Sequence, residues 1–119
     1  MDQSQSLNAL PYFDGSNYAF WKVQMRAFLC SIDESVWDNV DIGWTRPEAT
    51  KSTWDKATLA ASNANSKALN AIFCGVSPDE FHRISHITIA KEAWQILETT
   101  YVTPQTQVRA RHVTTTTHL

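Results

Sequence analysis

Glycine is scarce in this 119-residue chain: Gly15, Gly43 and Gly75 are the only three, and none is close to another. No glycine-rich phosphate loop can be drawn from them, and neither a G-x-S-x-G elbow nor an H-E-x-x-H helix occurs. An excess of one charge is missing too, since 10 Lys and Arg stand against 12 Asp and Glu, a formal net of −2. So balanced a chain has no global field to draw in phosphate backbones, which argues against nucleic-acid binding by this chain alone. No apolar run approaches the ~18 residues of a membrane span. The first ten residues lack the basic start and apolar stretch of a secretory signal. Cysteine is limited to Cys30 and Cys74, each at the end of a helical apolar pattern. These absences lead us to expect a cytoplasmic protein with no membrane partner, its two thiols reduced and buried as small hydrophobes.

What the chain does have is tryptophan: Trp21, Trp37, Trp44, Trp54 and Trp94. Large aromatics dominate the energetics of small cores and interfaces, so most of the five are expected to anchor structure. An apolar share of 43% is too high for a wholly disordered chain. The length suits one domain able to bury roughly two-thirds of its unfolded surface.

The pattern along the chain is helical throughout. Residues 1–11 read as a flexible lead that begins to pack at its end. Asp14-Gly15-Ser16-Asn17 is a turn cluster that offers caps to a following helix. Apolar residues at 18, 21, 25, 28, 29 and 32 then mark one helix face, with Lys22, Gln24 and Arg26 turned away. Asp33 caps a short second helix over 34–40 that points Val36, Trp37 and Val40 inward. Gly43 and Pro47 make 41–47 a loop. Ser52 or Thr50 is expected to cap a long third helix ending near Cys74. Its inner face uses Trp54, Ala57, Ala61, Ala64, Ala68, Ile72 and Phe73, and Asn63, Asn65 and Lys67 face outward. Gly75 is expected to end it in the left-handed conformation. Ser77-Pro78-Asp79-Glu80 reads as cap, first helical proline and reach-back glutamate for a fourth helix carrying Phe81 and Ile84. Thr88 is expected to cap a fifth, with Ala90, Trp94, Leu97 and Tyr101 on one face, stopped by Pro104. Residues 105–119, polar and threonine-rich, read as a poorly ordered tail. The fold expected is an all-α bundle of about five helices whose first, third and fifth members form the core layer.

Little of this carries chemistry. His82 and His86, four apart, have no third ligand at metal-site spacing and read as surface histidines. The carboxylates of Asp33, Glu34, Asp79 and Glu80 fit helix-start electrostatics better than acid–base catalysis. We therefore expect no enzyme activity, no metal and no cofactor. Arg109 and Arg111 could give weak, salt-sensitive RNA contact at most. Trp44 follows no helical stripe, which makes it the candidate interface residue, either a lid over the core or the wall of a peptide groove.

Two blocks of sequence point to a family. Phe13-Asp14-Gly15-Ser16-Asn17-Tyr18-Ala19-Phe20-Trp21 resembles the F-x-G-x-N-Y-x-x-W opening of copia-type LTR retrotransposon Gag polyproteins of the plant type. Trp37 and Gly43-Trp44 follow in the same order. Ala90-Lys91-Glu92-Ala93-Trp94-Gln95-Ile96-Leu97-Glu98-Thr99-Thr100-Tyr101 resembles the family's A-K-E-A-W-x-x-L-x-x-x-Y helix. The resemblance runs from about residue 12 to 110, through the N-terminal capsid-like lobe and not the second lobe or CCHC zinc knuckle. It implies self-association into a particle shell, carried by Phe13, Gly15, Asn17, Tyr18, Trp21, Trp37, Trp94, Leu97 and Tyr101 as a structural signature rather than a catalytic set. The alternative is a host-adopted helical module that binds a peptide or protein and forms no particle.

Overall fold

A computed structural model describes residues 9–101. Among these residues five α-helices follow one another: α1 (Tyr18–Ile32), α2 (Glu34–Asp41), α3 (Lys56–Cys74), α4 (Pro78–Ile84) and α5 (Ala90–Tyr101). A single 3-10 turn, Lys51–Thr53, interrupts the loop between α2 and α3. The protein is thus an all-α bundle. Among the described residues the one departure is an isolated parallel bridge between Phe13 and Val76. No helix there is long and apolar enough to cross a membrane.

α1 follows its apolar stripe: Tyr18, Trp21, Met25 and Leu29 are buried, Phe28 is half-buried, and only Ile32 at the last turn emerges. Asp33 caps α2, its carboxylate accepting from the Ser35 amide at 2.9 Å. That cap lets the chain turn with no linker between α1 and α2. The expected layer of first, third and fifth helices is altered by α2. Short as it is, α2 packs against α1, α3 and α5, while α1 and α3 touch little. Val36 and Val40 are inserted between those neighbours, and burying two valines so fully offsets the marginal stability of an eight-residue helix.

Several local expectations change once tertiary contacts are present. The turn at Asp14–Asn17 closes on itself: the Asp14 carboxylate accepts from the Ser16 amide and hydroxyl at 3.0 and 2.7 Å. Asn17 precedes α1 in the left-handed region and caps it with no side-chain bond. α3 is capped neither by Ser52 nor by Thr50. Ser52 lies in the 3-10 turn and Thr50 directly precedes it, and Asp55 caps the helix through the Thr58 amide at 2.8 Å. The reason is Trp54. Its indole donates to the Ala49 carbonyl at 3.0 Å, which holds residues 49–54 in a loop and delays the helix. Ala57, on the expected inner face, lies in the exposed first turn; Ala64, Ala68 and Ile72 are buried as anticipated.

Gly75 ends α3, but with φ −93°, outside the left-handed region. Glycine is needed there for space. A β-carbon would stand 2.5 Å from Met25 Cε, 2.8 Å from the Pro11 carbonyl oxygen and 3.0 Å from that of Ala71. This close approach lets the Phe13 amide donate to the Gly75 carbonyl and the Ser77 amide to the Phe13 carbonyl, both at 2.8 Å. The segment before α1 is thereby tied to the α3–α4 link. Cys30 is half-buried and Cys74 exposed, both as free thiols, so the second is not the buried hydrophobe expected.

Asn65 is the largest departure. Expected on the outer face of α3, it is only 4% exposed. Its amide nitrogen donates to the Thr88 carbonyl at 2.8 Å, and its carbonyl oxygen accepts from the Ala90 amide at 2.8 Å. The cap position of α5 is taken by Ile89, whose carbonyl receives the first helical bonds and whose side chain cannot cap. Asn65 caps α5 from another helix, and Thr88 contributes its carbonyl.

Candidate interaction surface

Folding brings the two family-like blocks together. Phe13 lies 5.5 Å from Tyr18, 5.3 Å from Trp21 and 4.9 Å from Tyr101, measured between ring centroids. Trp21 stacks on Trp94 at 5.7 Å, and Trp37 meets Trp94 edge-on at 5.4 Å. Residues more than seventy positions apart thus form one aromatic chain from Tyr101 to Trp37. Each such pair contributes about 0.5–1.5 kcal/mol beyond the burial of its area. Leu97 is fully buried within the same core. Gly15 and Asn17 serve the turn that delivers Phe13, with φ +104° and +55°, a region that favours glycine and tolerates asparagine.

The polar atoms of this cluster are unevenly paired. The Tyr18 hydroxyl and Trp21 Nε1 are buried with no hydrogen-bond partner. Burial, with a smaller contribution from the nearby Glu98 carboxylate, pushes the Tyr18 phenol well above its ordinary value. Tyr101 is pushed up as well, first by burial and then by its bond to Glu80. Glu80 does not reach back to the α4 cap. At 5% exposure its carboxylate accepts from the Tyr101 hydroxyl and, at 3.2 Å, from Arg83 Nε, so it ties α4 to the end of α5. The tertiary partner wins because a buried carboxylate is stable only with strong donors around it.

Trp44 sits elsewhere. Half-buried, it meets Trp54 edge-on at 6.3 Å, and the Arg46 guanidinium covers the other ring at 5.0 Å. Trp54 is buried in this small loop cluster and not in the main core, so the two tryptophans stabilise the loop on each other. Trp44 is not among the residues of a cleft formed by three of the helices.

That cleft, of about 570 Å³, opens where α1, α2 and α5 meet. Trp37, Val40 and Trp94 supply apolar wall, and Ala19 and Val23 supply the α1 side. Lys22 bridges to Glu98 at 2.6 Å across it, and the Arg26 guanidinium lies 5.2 Å from the Trp37 ring centre. Val23, which lines the cleft, is 67% exposed; Phe20 on the same helix is 64% exposed and Ile42, next to the lining residue Asp41, 71%. The single-stripe reading of α1 missed this second face. Its signal was present in Ala19, Phe20, Val23 and Ala27, apolar residues that fall off the buried stripe. Exposed side chains grouped around an apolar cleft suit a protein contact.

No family model, no curated protein and no solved structure matches this chain.

Among the described residues no group of three or more His, Cys, Asp or Glu stands close enough to share a metal ion. His82 is in the last turn of α4 and His86 beyond its end, both exposed. Arg109 and Arg111 lie outside the described residues.

Proposed function

We propose that the chain is a Gag-like capsid module of the copia type, whose work is self-association through helix surfaces. One observation carries the reading. The two blocks that resemble the family, residues 13–21 and 90–101, pack against one another as a single aromatic cluster. Rings held in one core are what a signature that maintains one lobe requires. The exposed apolar group around the α1–α2–α5 cleft supports the second half of the proposal, because it provides a surface on which a lobe can associate. In this reading the chain contributes contacts and no catalysis.

Light scattering after size exclusion, over a wide concentration range, tests the proposal, with negative-stain microscopy for particles. Association that grows with concentration supports it, and a fixed monomer removes self-association. The cleft also supports the alternative of a peptide-binding module without particles, and it moves the groove away from Trp44. That reading expects Trp37→Ala to abolish peptide-induced fluorescence changes and Trp44→Ala to preserve them.

A further inference from the structure

The two helices beside the cleft carry opposite charge. α1 holds Lys22 and Arg26 and no acid, whereas α2 holds Glu34, Asp38 and Asp41 and no base. Two ion pairs form among the described residues, Lys22–Glu98 and Arg83–Glu80. Arg26 and the α2 carboxylates belong to neither. Arg26 is exposed and lies over Trp37, and Asp41, also exposed, lines the same cleft. Ile42, which follows Asp41, projects into solvent. Its backbone is tied to the cleft by the Lys91 ammonium, which donates to its carbonyl at 3.2 Å.

We infer that this face is the contact between two copies of the chain, with Ile42 of each entering the apolar cleft of the other and Asp41 meeting Arg26 across the interface. The inference rests on the self-association proposed above and assigns it a surface. The face is self-complementary. A two-fold contact sets one patch against the same patch, so knob and hollow, acid and base, must lie side by side on one molecule. A foreign partner needs only one half of that set. Pairing α1 with α1 of a second copy would instead oppose Lys22 and Arg26 to other bases, which electrostatics disfavours. Crossing α1 onto α2 sets the basic residues of one copy against the acidic residues of the other.

The test is charge reversal and mixing in the full chain. Arg26→Asp and Asp41→Arg are prepared separately, with circular dichroism confirming the helical fold of each. Each alone places like charges opposite one another twice per dimer and is expected to weaken association about tenfold or more. An equimolar mixture of the two is expected to regain wild-type mass, because the introduced acid of one then meets the introduced base of the other. Ile42→Ser, at an exposed position with no role in the core, is expected to weaken association without affecting the fold. If the wild type associates and all three variants associate equally well, this surface is wrong and the proposed function stands. If the single variants weaken and the mixture stays weak, the Arg26–Asp41 pairing is overturned. A wild type that stays monomeric overturns both readings.

Discussion

Replacing Asn65 by alanine removes a cap that one helix supplies to another. In the folded protein Asn65 satisfies the Ala90 amide, the first of α5, to which the Ile89 side chain offers no acceptor. It also satisfies the Thr88 carbonyl. Loss of a helix cap costs about 0.5–2 kcal/mol, and a buried polar group left without its partner costs about 1–3 kcal/mol. The two overlap, since the Ala90 amide is counted in both, so we expect a net destabilisation of about 2 kcal/mol. For a domain of this size that corresponds to a fall of about 8–16 °C in Tm. Urea unfolding followed by circular dichroism and tryptophan fluorescence gives the free energy, and an unchanged m confirms that only stability moved. Thr88→Ala is the control: its carbonyl remains, so the change expected is within about 0.5 kcal/mol. An Asn65→Ala variant as mild as the control, or a Thr88→Ala variant as costly as the loss of Asn65, would refute the cap.

Gly75→Ala places a β-carbon against Met25 and two carbonyl oxygens; overpacking of this kind costs about 1–3 kcal/mol, and a neutral result by the same urea assay would show that the approach is looser than described. Tyr101→Phe strips Glu80 of its hydroxyl donor, and loss of a hydrogen bond to a charged group costs about 1.5–3 kcal/mol; the Tm of the variant at pH 7 reads it, and no change would mean Arg83 alone suffices. Alkaline unfolding tests Tyr18, whose phenol is raised above its unfolded value near 10. Its contribution is complete below that value and is lost as pH rises towards the folded one, because the unfolded chain ionises first. Stability is therefore expected to fall above pH 10 and to fall less steeply in Tyr18→Phe; equal slopes would contradict the burial of that hydroxyl.

The helices were legible because their periodicity is local. The apolar spacing of residues 18–29 and the Asp33 cap need nothing from the rest of the chain, and both appear as read. What was illegible depended on partners distant in sequence. Asn65 is polar and sits among polar neighbours, so only the arrival of the α5 start, more than twenty residues later, shows why it is buried. Glu80 satisfies a local capping rule on paper, yet Tyr101 and Arg83 offer its carboxylate more than one cap amide can. Trp54 delays α3 through a bond back to Ala49, a loop contact that leaves no periodic trace. In the core, the aromatic cluster could be anticipated from the two sequence blocks. The cleft was legible only in part: Val23 falls off the buried stripe of α1, but nothing local shows that the bundle sets it beside α2 and α5.

The central claim is self-association, and mass against concentration tests it most directly. Size exclusion with light scattering on the full chain, from micromolar to near-millimolar protein, is expected to give a mass that climbs above the 13.5 kDa of one copy. A mass that holds at 13.5 kDa throughout would contradict the account.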